Sequence, residues 1–265
     1  MNRLLAASVL AGLPFAAQAA DLSTDYSFIQ DNAPVQPAIV GHIDLGLGFV
    51  STGLEFGGTE EFWLFEGFGR ANVDFNGMNL EVETGGGVDL KDNETSIGVA
   101  AHLWGAMNNI AVGIFGGTSF PIDRTNYKLG VEAETYLGPV TLGGSYDYNW
   151  LVDGSSTAEF WVARAWADLY PTENLRLGGD VMYFLEPATN FDVYGANLDG
   201  ELRFPGTWVS GWVEGRYRRI EHLDANIWTA MIGFRIFMDA PGTTLHEHDM
   251  LVPWDNGTFD PFTFN

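Results

Sequence analysis

Charged side chains set at every second position are the residues of this chain best placed to do chemistry. Arg164, Arg176, Arg203, Arg216 and Arg235 alternate with apolar neighbours, and Asp168, Asp180, Asp199, Glu201 and Glu214 keep the same phase. Earlier in the chain Glu66, Glu81, Glu83, Glu132, Glu134 and Asp147 behave alike, with Arg70 and Lys128 among them. A period of two places such residues on one face of a strand. Charges facing a common axis orient and select polar solutes, and guanidinium groups favour anions. The same charges could instead pair with one another and fill the interior, leaving no path.

Other constellations carry less. His42 and His102 fall on the charged phase, with Ser96 and Ser145 nearby in pattern, but no local motif brings serine, histidine and an orienting group together. The sequence therefore predicts no catalytic residue and no enzyme. His246, Glu247, His248 and Asp249 look metal-like, yet no second ligand pair supports a site, and they are expected in a solvated tail. Gly85-Gly86-Gly87 is expected to be a loop and not a phosphate cradle, since no lysine or helix pattern follows it. No metal and no cofactor is expected.

The elements that must position the charges are strands. In Asn226–Met238, Trp228, Ala230, Ile232, Phe234 and Ile236 share one face, while Arg235 lies on the other. Eleven further segments alternate in the same sense: His42–Val50, Phe62–Phe75, Met78–Thr84, Thr95–Trp104, Asn109–Phe115, Asn126–Leu137, Val140–Tyr148, Ala158–Tyr170, Leu175–Leu185, Asp192–Phe204 and Trp208–Arg218. Wide apolar faces opposite polar ones suit a membrane barrel, with lipid outside and a polar lumen within. Lipid offers no hydrogen-bond partner to the backbone, so the sheet must close on itself.

Connections between the segments alternate in expected length. Short ones fall at Asn76-Gly77, Gly105–Asn108, Gly138-Pro139, Pro171–Asn174 and Pro205–Thr207. Longer ones are expected at Ser51–Glu61, Gly85–Glu94, Gly116–Thr125, Asn149–Thr157, Glu186–Phe191 and Arg219–Ala225. Such sorting is what an up-and-down barrel produces when its two rims face different compartments. The outward aromatics Trp63, Phe75, Tyr127, Tyr148, Trp161, Tyr183, Phe204, Tyr217 and Trp228 sit near expected strand ends and predict girdles at both headgroup levels.

Composition narrows the partners. The 265 residues carry a formal charge of -23, which repels nucleic acid, and contain no cysteine. Met1-Asn2-Arg3, the apolar Leu4–Phe15 and the small residues at 16–20 have the pattern of a secretory signal peptide over residues 1–20. Residues 21–41 are expected to form an irregular periplasmic segment, 42–238 a transmembrane β-barrel, and 239–265 a periplasmic tail. The expected fold is all-β: an up-and-down antiparallel β-barrel of about 12 strands.

On these segments the chain resembles a Gram-negative outer-membrane β-barrel of porin-like type over residues 42–238. Gly233, Ile236 and Met238 are similar to the closing-strand pattern that serves this group as its assembly signal, although here the chain runs on to Phe262, Phe264 and Asn265. In size it also resembles twelve-strand outer-membrane channels, a group that includes nucleoside and acidic-sugar pores, a phospholipase and a protease. The resemblance implies outer-membrane lipids, lipopolysaccharide and the barrel-assembly machinery as partners. The inward phase of the strands adds the expectation of a passive channel for small polar or anionic solutes, lined by the ten arginines and glutamates Arg164, Arg176, Arg203, Arg216, Arg235, Glu66, Glu81, Glu83, Glu132 and Glu134. The alternatives are a structural or adhesive barrel with a filled lumen, and a barrel-embedded hydrolase.

Overall fold

A computed structural model of the chain describes residues 39–54, 58–75, 78–92, 94–121, 124–186, 191–239 and 242–252. The expected signal peptide, most of the 21–41 segment, the Asn76-Gly77 turn and the terminal Phe262, Phe264 and Asn265 lie outside these residues.

The strands are β1 (Val40–Leu54), β2 (Gly58–Phe75), β3 (Met78–Asp89), β4 (Thr95–Met107), β5 (Ile110–Pro121) and β6 (Thr125–Leu137), followed by β7 (Val140–Asp153), β8 (Ser156–Thr172), β9 (Leu175–Glu186), β10 (Phe191–Arg203), β11 (Val209–Ile220) and β12 (Ala225–Phe237). Each pairs antiparallel with its sequence neighbours, and β12 returns to β1, with His42 opposite Phe237 and Leu54 opposite Ala225. The result is a closed up-and-down barrel with no free sheet edge, so every strand has a hydrogen-bonding neighbour on both sides. The near rim is where β1 begins and β12 ends.

Polarity runs inside out, as the alternation requires. On β12, Trp228, Ile232 and Phe234 are about 60% exposed, while Met231 and Arg235 are buried. Ile97, Ile114, Val131, Val181 and Val213 continue the apolar outer surface round the barrel. A wall this apolar is at home only against hydrocarbon.

Two expectations about the strands need correction. The stretches read as long connections are largely strand: Gly85–Asp89 belongs to β3, Gly116–Pro121 to β5 and Asn149–Asp153 to β7. Both rims are therefore joined by short turns where they are described, such as Asn108-Asn109 on the near rim and Gly154-Ser155 on the far one. Glycine and polar residues suggested loops, but Gly85 makes room for an aromatic ring. A Cβ there would lie 2.3 Å from Phe68 Cδ1, so the ring covers the bare backbone of the neighbouring strand.

The outer aromatics also gather mainly at one level. Cross-strand partners Phe49 and Trp63, Tyr148 and Trp161, Tyr183 and Tyr194, and Tyr217 and Trp228 pack at ring separations of 5.5, 4.4, 5.0 and 4.5 Å. All lie toward the far ends of their strands, with Tyr127 beside them. Phe204 and Trp208 stand at the near rim. A belt of amphipathic rings suits a headgroup boundary.

One short helix follows, α1 (Leu245–Leu251). Thr244 caps it: its hydroxyl accepts from Glu247 N, and the Glu247 carboxylate accepts from Thr244 N. This reciprocal box satisfies two amides that a helix start leaves without partners.

Candidate lumen site and near-mouth helix

Inside the barrel, alternate positions of the strands converge on a water-accessible cavity of about 110 Å³. Arg70, Arg164, Arg176, Arg216, Arg218 and Arg235 line it, together with Asp44, Glu83, Asp180, Asp199 and Glu214. Six of the chain's 12 basic residues thus meet five acids at one place, in a molecule whose net charge is -23. The side chains bordering the cavity carry one more positive than negative charge, and Glu66 and Glu201 pair with three of the same arginines from just behind them.

Ion pairs fix most of these side chains. Arg235 clasps Asp44 with Nε and Nη2 at 2.7 and 2.9 Å and reaches Glu201 with Nη1 at 3.0 Å. Arg176 Nη2 lies 3.0 Å from Asp199 and 3.4 Å from Glu201. Arg216 makes a two-pronged contact with Glu66 at 2.9 and 3.0 Å and a further one with Glu214 at 2.9 Å. Arg164 sits more loosely, 3.8 Å from Asp180. Arg218 donates to two uncharged acceptors, Asn197 Oδ1 at 2.6 Å and Tyr217 O at 2.9 Å. Paired arginines of this kind are preset in position, and bidentate geometry holds their planes.

All ten residues expected to line a pore face the interior, but they divide into groups. Arg164, Arg176, Arg216, Arg235 and Glu83 border the cavity. Glu66 lies beneath Arg216 and is 1% exposed. Glu134 accepts from Tyr136 Oη at 2.7 Å and Trp166 Nε1 at 2.8 Å, away from the cavity. Glu81 and Glu132 cluster with His102 on the wall formed by β3, β4 and β6. Arg203 belongs to the near mouth: it grips Asp239 at 3.0 and 2.8 Å and lies over the Phe237 ring at 4.0 Å.

Arg218, Asp44 and His42 also line the cavity, although the sequence reading did not place them among the pore residues. Each keeps the period of its strand, so alternation carried far enough would have found them. Nor is the lumen wholly polar, as expected. Phe160, Met182, Phe184 and Val193 pack together on the inner face of β8–β10, with Leu151, Val162 and Ile220 against them.

The near mouth is crossed by α1, and here the expected solvated tail is overturned. Leu245 and His248 are fully buried, and Asp249 is nearly so. Leu245 packs with Tyr170 of β8 and Phe237 of β12, and Met250 packs against Trp104, Ala111, Tyr136 and Trp166. Asn72 of β2 donates to Leu251 O at 2.6 Å, and Tyr170 Oη donates to Asp249 at 2.6 Å. These contacts reach strands on opposite sides of the barrel. The apolar side of the helix finds its partners inside the mouth, so burial draws it there.

A histidine pair pins the helix. His248 Nδ1 lies 2.9 Å from Asp239 Oδ2, and His248 Nε2 lies 2.9 Å from His42 Nδ1. These contacts assign an Nδ1–H donor to His248 and leave its Nε2 to accept from His42. Burial is the main influence on His248 and pushes its pKa below the ordinary histidine value; the charge of His42 adds to this, and the Asp239 hydrogen bond opposes it. Burial works against ionisation of Asp239 as well, yet hydrogen bonds from His248 and Arg203 outweigh it and hold that carboxyl below its usual range. His102, in contrast, bonds Glu132 at 2.8 Å through Nδ1.

No protein-family model and no curated protein matches this sequence. Several solved structures are similar. The NanC porin aligns with a TM-score of 0.55 at 11% identity over 72% of this chain and 98% of that one. An outer-membrane channel from Pseudomonas putida F1 aligns with a TM-score of 0.54 at 12% identity, over 77% and 96%. The KdgM porin aligns with a TM-score of 0.50 at 9% identity, over 72% and 98%. The likeness is one of fold: this chain has the closed antiparallel β-barrel fold of outer-membrane porins and channels.

Proposed function

We propose that the protein is an outer-membrane channel for small anionic solutes, closed at its near mouth by α1 until that helix moves. The observation that carries this reading is the gathering of six arginines round one interior cavity in a strongly acidic chain. A low-dielectric wall focuses their field on the axis, which attracts an anion and repels a cation. Room for water of about 110 Å³ restricts passage to small species. In this reading the near rim faces the periplasm, residues 1–20 direct export, and the barrel-assembly machinery inserts the closed sheet. The far aromatic belt sits among lipids of the outer leaflet. Acidic residues near the far rim, including Glu60, Glu61, Asp92 and Glu94, meet lipopolysaccharide through divalent cations; Asp89, expected with them, is instead buried at the end of β3.

The test is a planar-bilayer recording of the full chain and of a chain lacking residues 242–265. Stepwise conductance, larger or more frequent in the shortened chain, supports the proposal. Silence from both, with each folded as a barrel, rejects it in favour of a structural barrel with a filled interior. The dense ion pairing of the lumen favours that second reading.

A further inference from the structure

Beyond the arginine-lined cavity, the wall of β3 and β4 brings together groups that neither strand alone could make. Glu81 stands opposite His102 in the sheet register, and Glu83 lies two residues further along the same inner face. One donor atom from each of the three lies within 4.8 Å of the others. Glu81 and His102 are fully buried, and Glu83 is 1% exposed.

Burial makes the state of these donors informative. Neither oxygen of Glu81 has a hydrogen-bond partner, nor does His102 Nε2 or Glu83 Oε1. The Arg70 Nε lies 3.3 Å from Glu81 Oε1, out of line for a hydrogen bond, and Arg70 Nη2 donates to Glu83 Oε2 at 3.0 Å. His102 Nε2 points toward Glu83 Oε2 at 3.5 Å. Buried acceptors without partners are rare because losing water without a replacement is costly.

The imidazole is also held as a ligand needs to be held. Its Nδ1 lies 2.8 Å from Glu132 Oε1, and its ring stacks on Phe115 at 5.3 Å and 21°. A carboxylate on the remote nitrogen fixes the tautomer that leaves Nε2 free to coordinate, and it raises the basicity of that nitrogen. Charge gives a third reason. Arg70 faces Glu81 and Glu83, while Lys128 is shared among Glu83, Glu132 and Asp147. Arg164 also neighbours Lys128 and Asp147, so four carboxylates meet three cations, and the group keeps a negative charge for a bound cation to offset.

We propose that Glu81, Glu83 and His102 form a binding site for a divalent transition-metal ion, with Glu132 as the positioning residue behind His102. One imidazole and two carboxylates suit Zn²⁺ or Mn²⁺ better than Ca²⁺, which takes oxygen ligands, or Cu⁺, which takes sulfur. Ligand atoms lie about 2.0–2.2 Å from a zinc ion, so small side-chain rotations close the observed spacing. Glu83 borders the cavity and gives the ion its route from the lumen. Once bound, the ion ties β3 to β4 and adds positive charge to the cavity wall.

The site stands whether or not the barrel conducts, because its test reads bound metal. The full chain, folded in detergent and stripped with a chelator, is titrated with Mn²⁺ followed by electron paramagnetic resonance and with Zn²⁺ followed by calorimetry. One saturable equivalent is expected, lost in His102→Ala and in Glu81→Gln. Glu132→Gln, which removes no ligand, should weaken binding by about 10–100-fold. A His246→Ala/His248→Ala chain should bind as the parent does, which separates this site from the near-mouth histidines. Absence of saturable binding overturns the proposal, as does an affinity unchanged in both Glu81→Gln and His102→Ala.

Discussion

Replacing His248 with alanine should release α1 from the near mouth while leaving the barrel intact. The side chain is fully buried, hydrogen-bonded at 2.9 Å to both His42 and Asp239, and set edge-on to Phe237 at 4.7 Å. Truncation removes an acceptor from His42 and a donor from Asp239, a loss of about 1–3 kcal/mol for groups kept from water. The void left by the ring adds on the order of 1 kcal/mol. The docked helix should therefore lose roughly 2–4 kcal/mol, which shifts its docking equilibrium by about 30- to 700-fold. A helix of seven residues does not survive alone, so undocking and unwinding go together. Hydrogen exchange reads this directly through two amides: His248 N donates to Thr244 O, and Val252 N donates to His248 O. Their exchange should accelerate by that factor while amides of β12 keep their protection. Unchanged exchange at residues 245–252 refutes the reasoning, and a collapse of protection across the strands refutes the independence of plug and barrel.

Acid should act in the same direction. Because burial keeps the docked His248 below its free value of about 6.5, the docked form binds fewer protons than the released one, so docking is strongest above that pH and weakens as pH falls through it. The depressed Asp239 carboxyl has the same sign and adds its loss below its free value of about 3.8, so exchange at α1 measured from pH 8 to pH 2 checks both. Arg216→Ala strips Glu66, which is 1% exposed, of a bidentate partner, and denaturant titration should show a loss of about 3–5 kcal/mol. On the outer face, Ile232→Arg near mid-strand should cost about 2–4 kcal/mol when folding is measured into bilayers, but little if that face meets water.

Much of this architecture was legible because strand periodicity is local. Alternation placed Trp228, Ile232 and Phe234 outside and Arg235 inside from thirteen consecutive residues, and the other eleven segments obey the same rule. Strand ends were less legible. Gly85-Gly86-Gly87 and Asn149–Asp153 have turn-like composition but remain in the sheet, the first because the Phe68 ring packs over Gly85. Composition alone does not show which ring will cover a bare backbone. The plug was least legible, although Thr244-Leu245-His246-Glu247 carries a capping-box pattern that marks a helix start. Its destination inside the mouth depends on contacts to β1, β2 and β8, which no local pattern encodes. The same holds for the Glu81–Glu83–His102 group, where facing could be read from each strand but proximity required the register of β3 against β4.

The central claim is that the arginines of the lumen act on a passing anion. The reversal potential across a bilayer bathed in unequal KCl concentrations tests it most directly, using the chain without residues 242–265 so that α1 does not obscure the lumen. The expected potential is displaced toward the chloride limit and shifts back toward cations when Arg218→Glu reverses a charge on the cavity. A cation-selective potential, or one indifferent to that reversal, contradicts it.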